Sequence, residues 1–151
     1  MKYDVYLAAP WFHEGEPERL DKVEACLDSF ENLKVFSPRR ETLVDATSTD
    51  DKLEQSFLAN VRHVKASDFV VAIVSTKDSG TLFECGLAYG CDVPILYYYD
   101  TPDKPFNLML AKSCKQLGYV TNVDELKERI QMILDLGIDN VNVEDFKGEI
   151  E

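Results

Sequence analysis

The stretch FVVAIVSTKDSGTLFECG, residues 69–86, decides the fold of this chain of 151 residues. Its first part, Phe69–Val74, is a continuous apolar run, which is typical of a strand buried on both faces of a sheet. Ser75–Gly80 contains turn-forming residues, and a helical pattern follows from Thr81 to Cys91. A strand, a turn and a helix in this order predict one unit of a parallel α/β sheet.

The same alternation of strand and helix continues in both directions along the chain. Strands are predicted over Tyr3–Ala9, Lys34–Ser37, Phe69–Val74, Ile95–Tyr99 and Gly118–Thr121. Helices are predicted over Glu16–Asn32, Asp51–Ala66, Thr81–Cys91, Asn107–Lys115 and Val123–Leu136. Because right-handed crossovers allow few arrangements, the predicted fold class is a doubly wound, flavodoxin-like or Rossmann-like α/β sandwich with a five-stranded parallel sheet in the order 2-1-3-4-5. We expect a single domain over residues 1–151, with an acidic tail from residue 138.

The composition restricts the classes of partner. A net charge of −12 argues against nucleic acid or an anionic membrane as the partner, whereas a small neutral or weakly charged ligand fits. The cysteines have no zinc-like spacing, so we expect reduced, buried thiols, no metal and no cofactor; they are Cys26, Cys85, Cys91 and Cys114. The sequence shows no signal peptide and no membrane span, which predicts a cytoplasmic protein.

Two chemically distinctive segments follow neighbouring strands of the predicted sheet. Trp11 and Phe12 come after the first strand, and the segment from Asp78 to Glu84 comes after the third. The carboxyl ends of these strands meet at the point where open α/β sheets bind ligands. We interpret Glu84, expected in the first turn of its helix, as a nucleophile. The alternative is a capping box formed by Thr81 and Glu84, in which both side chains satisfy free amides.

Three further residues have two interpretations each. Trp11 and Phe12 either pack as core or lid, or stack on a flat ring. Asn60 lies on the inward stripe of its helix, so it is either hydrogen-bonded in the core or part of a pocket wall. The polar segment Pro38–Asp51 is predicted to be a loop that covers the site.

Four segments of this sequence resemble the nucleoside 2-deoxyribosyltransferase family: VYLAAPWF at 5–12, FSPR at 36–39, DSGTLFECGLAYG at 78–90 and KPFNLM at 104–109. Members of this family transfer 2-deoxyribose between nucleobases, so the resemblance implies an enzyme of nucleoside salvage that acts on deoxynucleosides and free nucleobases. Its chemistry is similar to that of a retaining glycosidase, in which a carboxylate captures the sugar before the acceptor attacks.

The resemblance also implies roles for individual residues at the sugar end. Glu84 is the nucleophile, Tyr6 orients it by a hydrogen bond, and Asp78 holds a deoxyribose hydroxyl. Ala8 and Gly80 are small, which lets the ligand approach the backbone. Without the resemblance, Tyr6 can equally well be interpreted as a residue that packs within the sheet. Asp78 can be interpreted as a turn residue.

Asn107 and Met109 match the family's Asn-Leu-Met segment, which binds the sugar end in the site of a neighbouring subunit. The resemblance therefore implies a homo-oligomer, either a dimer or a hexamer, with shared sites. Taken alone, Asn107 reads as a helix cap.

Two positions depart from the family pattern in the base pocket. Asn60 stands where the family often has an aspartate, and Thr42 lies near the position of a base-reading glutamine. An amide cannot deliver a proton at neutral pH, so protonation of the base would need Glu41, Asp45 or water.

Two alternatives to transfer remain open. One is hydrolysis of the N-glycosidic bond of deoxynucleosides or their 5′-monophosphates, which also includes hydrolysis as a side reaction of a transferase. The other is a non-catalytic nucleoside-binding module.

Overall fold

The computed structural model describes residues 2–101, 103–143 and 148–150. Five strands form one all-parallel sheet in the order β2-β1-β3-β4-β5: β1 (Tyr3–Ala8), β2 (Leu33–Phe36), β3 (Phe69–Ile73), β4 (Ile95–Tyr98) and β5 (Tyr119–Val120). The helices are α1 (Glu16–Asp28), α2 (Pro38–Glu41), α3 (Asp50–Ala66), α4 (Ser79–Gly90), α5 (Leu108–Ser113) and α6 (Val123–Leu136). The predicted fold class and strand order are confirmed.

Alternation along β1 divides the core into two layers. Val5 and Leu7 belong to a cluster with residues of α1 and α6, whereas Tyr6 and Ala8 belong to a cluster with residues of α3, α4 and α5. Successive side chains of a strand point to opposite faces of the sheet, so this division follows directly from the strand geometry. Tyr6 therefore faces the layer that contains α4.

Helix α4 begins earlier than predicted. Asp78 is its N-cap, and the Asp78 carboxylate accepts hydrogen bonds of 2.8 Å from both the backbone N–H and the hydroxyl of Thr81. Aspartate is a strong N-cap residue, and here it takes the position that the capping-box interpretation gave to Thr81. Glu84 consequently lies in the second turn of α4, so its predicted place in the first turn and its role in a capping box were both wrong.

The segment after β2 was predicted to be entirely loop, but it begins with the short helix α2. Pro38 occupies the first turn of this helix, where a missing N–H costs nothing. The Arg39 guanidinium contacts carboxylates of α1, at 2.7 Å from Asp21 and 2.8 Å from Glu24. These ion pairs hold α2 against α1.

The predicted acidic tail is described in part, since residues 144–147 and 151 lie outside the described residues. Ile138–Asn140 forms a 3-10 turn, and Val141 is buried. Glu149 exchanges backbone hydrogen bonds of 2.7 and 2.8 Å with Phe106 and Leu108. This part of the tail therefore packs against the start of α5.

The thiols of all four cysteines are free. Cys26, Cys85 and Cys114 are buried, whereas Cys91 is exposed, which corrects the expectation that every thiol is buried. In the described part of the chain, no helix combines the length and apolar character needed to cross a membrane.

Candidate active site

A cavity of about 220 Å³ opens beside the carboxyl ends of β1 and β3. Its wall combines residues that follow these two strands with residues of α2, α3 and α4: Ala9, Trp11, Phe12, Pro38, Phe57, Asn60, Val61, Asp78, Gly80, Phe83, Glu84 and Leu87. The α4 members of this set recur at positions i, i+3, i+4 and i+7 from Gly80, so they form one face of the helix. The fold thus brings together most of the residues that the sequence selected.

Glu84 lies on the wall of the cavity and is paired with a buried tyrosine of β1. The hydroxyl of the fully buried Tyr6 donates a hydrogen bond to Oε2 of Glu84. Burial raises the pKa of Glu84 to about 7, the Tyr6 hydrogen bond lowers it, and the nearby charge of Asp78 raises it. Burial also raises the pKa of Tyr6, so its hydroxyl stays protonated and remains a donor.

Asp78 has a structural task and also lies on the cavity wall. Its Oδ2 accepts both hydrogen bonds from Thr81, which fixes the start of α4. A Cβ atom at Gly80 would come within 3.3 Å of the same oxygen, so glycine leaves room around this carboxylate. The carboxylates of Asp78 and Glu84 therefore stand on one wall, held by the same helix.

Aromatic rings form the rest of the cavity. Trp11 and Phe12 lie with ring centroids 4.6 Å apart, and Phe57 lies 6.1 Å from Phe83. Phe12, Phe57 and Phe83 each keep about half or more of their surface exposed, at 69%, 49% and 55%. Exposed rings around a small cavity provide faces on which a planar heterocycle can stack.

Asn60 contributes an unsatisfied polar atom to this wall. Its side-chain oxygen is buried and has no hydrogen-bond partner among the described residues. Leaving such an atom unpaired costs about 1–3 kcal/mol, a penalty that a ligand carrying an N–H donor would remove.

Five predicted site residues are not part of this wall. Tyr6 is fully buried and is linked to the wall by its hydrogen bond to Glu84. Ala8 is fully buried under the α3–α4 layer, and Ala9 takes its place at the cavity. The Thr42 hydroxyl donates to the backbone oxygen of Pro38 at 2.7 Å. Asn107 and Met109 line a different surface, described next.

A second, larger groove of about 870 Å³ runs along the opposite face of α4. Leu82, Gly86 and Tyr89 line it from that helix, whereas Asn107 and Met109 line it from the start of α5. The Asn107 side chain caps α5 by accepting hydrogen bonds from the backbone of Met109 and Leu110, at 2.8 and 3.2 Å. The alternative interpretation of Asn107 as a helix cap is therefore confirmed. The Met109 side chain is 75% exposed.

Sequence reasoning missed several cavity residues: Ala9, Pro38, Phe57, Val61, Phe83 and Leu87. A signal for the α3 group was present, because Phe57, Asn60 and Val61 have helical spacing and share one face. Within the described ranges, no group of three or more His, Cys, Asp or Glu side chains could hold a metal ion.

The fold and the cavity define an α/β protein with a carboxylate on the wall of a cavity at the carboxyl ends of its central strands. A family comparison identifies its class. The family model described as Nucleoside 2-deoxyribosyltransferase matches residues 5–147, so the chain belongs to this family. Membership places it among enzymes of nucleoside deoxyribosyltransferase or N-glycosidase type, which act on nucleosides and nucleobases. No curated protein matches the sequence.

Solved structures support the same assignment. The 2-deoxyribosyltransferase of the psychrotolerant bacterium Bacillus psychrosaccharolyticus is 26% identical, with a TM-score of 0.73 over 82% of this chain and 90% of that one. A conserved protein from Enterococcus faecalis V583 is 21% identical, with a TM-score of 0.73 over 87% and 99% of the two chains. A Clostridium botulinum CMP N-glycosidase is 16% identical, with a TM-score of 0.57 over 85% and 97%. The last two share the fold.

Proposed function

We propose that this protein transfers 2-deoxyribose between the nucleobases of 2′-deoxynucleosides, through a covalent intermediate on Glu84 and with retention at the anomeric carbon, as a step of nucleoside salvage. One observation carries the proposal above the others. Glu84, a half-buried carboxylate on the wall of a cavity ringed by aromatic side chains, accepts a hydrogen bond from the buried Tyr6. This is the arrangement that an oriented nucleophile requires.

The first half of the reaction forms the intermediate. Tyr6 holds Oε2 of Glu84, so Oε1 is the oxygen that attacks the anomeric carbon. As the new C–O bond forms, the C–N bond to the base breaks and its electron pair leaves with the base. The sugar passes through an oxocarbenium-like state, which the negative charges of Glu84 and Asp78 stabilise.

The second half reverses these steps with another base. The acceptor base gives up its ring N–H proton to water, its nitrogen attacks the same carbon, the ester C–O bond breaks and the Glu84 carboxylate is regenerated. Each half inverts the configuration, so the product retains that of the substrate. Water in place of the acceptor gives hydrolysis as a side reaction.

The remaining wall residues bind the substrate in this proposal. Asp78 accepts a hydrogen bond from a deoxyribose hydroxyl, and Gly80 lets the sugar approach α4. Trp11 and Phe12 stack on the base, whose edge meets Asn60. The base-reading role of Thr42 and the cytoplasmic location stay predictions.

A covalent adduct is the direct test of this proposal. A 2′-fluorinated nucleoside slows both halves of the reaction because fluorine destabilises the oxocarbenium-like state. Peptide mass spectrometry after incubation with this substrate is expected to show one added sugar on the peptide that contains Glu84. Normal turnover of deoxynucleosides with no adduct on this peptide would remove Glu84 from the role of nucleophile.

Replacing Tyr6 by Phe is expected to shift the pH dependence of the reaction upward. Burial raises the pKa of Glu84 to about 7 against the lowering effect of the Tyr6 hydroxyl, so losing this donor raises the pKa further. Because the attacking carboxylate must be ionised, wild-type kcat/KM should rise as the pH passes through about 7 and that of the variant should rise later. The measurement is kcat/KM for base exchange across this range of pH.

Tyr3→Phe is the matched control for this shift. Tyr3 lies on the same strand but faces the other layer, where its hydroxyl accepts from the backbone N–H of Ile138 at 3.1 Å. Its pH profile should coincide with that of the wild type. If the Tyr6→Phe and wild-type profiles rise together, Tyr6 has no influence on the ionisation of the nucleophile.

Hydrolysis of a deoxynucleoside 5′-monophosphate is the second candidate, since one protein of the same fold is a CMP N-glycosidase. The charges on the described cavity wall argue against it, because Asp78 and Glu84 are the charged side chains there and both repel a phosphate. Product analysis with and without an acceptor base separates the candidates. Free deoxyribose formed at the same rate in both mixtures would favour the hydrolase.

The groove on the far face of α4 supports a homo-oligomer with shared sites. It exposes Met109 and Tyr89 beside Asn107, and apolar surface of this kind on a folded domain is typical of a protein–protein interface. We infer that Asn107 and Met109 reach the sugar end of a neighbouring subunit's cavity.

A further inference from the structure

We propose that the leaving nucleobase receives no proton from the side chains of the described cavity wall and departs as an anion held by the amide of Asn60. This inference rests on the proposed function, because it concerns the first bond broken in that reaction. It makes the acidity of the base itself the property that selects substrates.

The titratable groups of the cavity wall are already engaged. Among the described residues, the wall contains two titratable side chains, Asp78 and Glu84. Glu84 attacks as a carboxylate, so it cannot also be the proton donor in the same step. Asp78 accepts two hydrogen bonds from Thr81 through Oδ2, so this carboxylate already serves as the acceptor that caps α4.

The other acids that the sequence offered are also unsuited to this step. Neither Glu41 nor Asp45 belongs to the wall. The hydrogen bonds that Asp45 accepts from Thr47 lower its pKa further, so it stays ionised. His63 lies one turn after Asn60 on α3, but its ring stacks on Phe36 at 3.8 Å between ring centroids and is not part of the wall.

Asn60 is the polar side chain that remains for the base. Its buried oxygen has no hydrogen-bond partner among the described residues, so the site is incomplete until a ligand arrives. A half-turn of the amide exchanges its oxygen and nitrogen, which lets it accept from a base N–H or donate to a ring nitrogen or carbonyl. As negative charge develops on the base, the donating orientation becomes the stronger one.

The bond changes balance without an acid. The C–N bond breaks heterolytically, its electron pair stays on the base nitrogen, and the base takes a proton from water after release. The amide stabilises this charge by a hydrogen bond but has no proton to transfer at neutral pH. The cleavage rate must therefore rise with the acidity of the free base, as a Brønsted relation requires.

The experiment compares three substrates with the same sugar and similar bases: 2′-deoxyuridine, its 5-fluoro derivative and thymidine. Single-turnover cleavage rates are measured for the wild type, Asn60→Asp and Asn60→Leu. The wild type is expected to cleave the 5-fluoro substrate at least about tenfold faster than thymidine, whose base is the least acidic. Asn60→Asp supplies an acid in the same volume, so this ratio should shrink to about threefold or less.

Asn60→Leu tests the amide itself. It keeps a side chain of similar size but removes the hydrogen bond, so all three rates should fall roughly tenfold while the ratio stays as large as in the wild type. Unchanged rates in this variant would overturn the role of Asn60.

Two other results would contradict the inference. A wild-type ratio near one would mean that another group protonates the base, and this result stands even if a variant fails to fold. If folded and active Asn60→Asp keeps an equally large ratio of the 5-fluoro rate to the thymidine rate, the residue at position 60 does not control the departure of the base. If the wild type cleaves none of the three substrates nor any purine deoxynucleoside, the proposed function fails first and the inference falls with it.

Discussion

Glu84→Gln is expected to abolish base exchange, with a fall in kcat of at least about a thousandfold, while the protein remains folded. The Gln amide oxygen can still accept the hydrogen bond from Tyr6, so the geometry of the cavity is kept. The amide cannot form the sugar ester, so the loss isolates the chemical step. The measurement is base exchange between a deoxynucleoside and a free base, read by chromatography.

The stability of this variant distinguishes a lost nucleophile from a damaged fold. Burial raises the folded-state pKa of Glu84 from 4.5 to about 7, so its contribution to stability is fully present below the lower value and is lost as the pH rises through the higher one. Gln does not titrate, so at about pH 8 the Tm of the variant should equal or exceed that of the wild type.

Glu128→Gln is the matched control, because it makes the same change on the exposed surface of α6, away from the cavity. It should leave exchange unchanged. Wild-type turnover in Glu84→Gln would exclude Glu84 as the nucleophile. Tight nucleoside binding with no turnover in the wild type itself would favour a binding module.

Mixing two inactive variants is expected to restore activity if sites are shared. One variant is Glu84→Gln, and the other is Asn107→Ser, chosen because serine can still cap α5. In a mixed dimer, the subunit with Asn107→Ser keeps Glu84 and receives an intact Asn107 from its partner. Half of randomly formed dimers are mixed and one of their two sites is complete, so about one quarter of wild-type activity should return.

The exchange of subunits must be shown independently in this experiment. Coexpression with two different affinity tags allows the mixed species to be isolated and assayed alone. The purified hybrid should exchange bases, whereas each variant expressed by itself should not. An inactive hybrid of confirmed composition would mean that Asn107 acts within its own subunit or not at the site at all. A wild-type protein that is monomeric and fully active would likewise exclude a role of Asn107 in the site of a neighbouring subunit.

The sheet was predictable from sequence because its strands are marked locally. Phe69–Val74 is apolar throughout, as expected for a strand covered on both faces, and the handedness of crossovers left few possible orders of the strands. Helix α6 matched its prediction of Val123–Leu136 because Asn122 and Gly137 mark both ends. The start of α4 was missed because Asp78 and Thr81 both suit an N-cap, and the choice depends on backbone geometry.

The candidate site was predictable in its chemistry but not in its contacts. The meeting of Trp11 with Glu84 follows from strand order, since β1 and β3 are neighbours. The part played by Phe57 does not follow, because it depends on how α3 tilts over the sheet. The unpaired oxygen of Asn60 is a property of surrounding atoms from several elements, which spacing along the chain cannot reveal.

The chain has one tryptophan, and that residue lies on the cavity wall against Phe12. Indole emission from this protein therefore originates at a single place, free of background from other positions. A base that stacks on Trp11 quenches this emission whether or not any bond is broken. The fluorescence of Trp11 therefore reports the binding of a ligand in the cavity, in inactive variants as well as in the wild type.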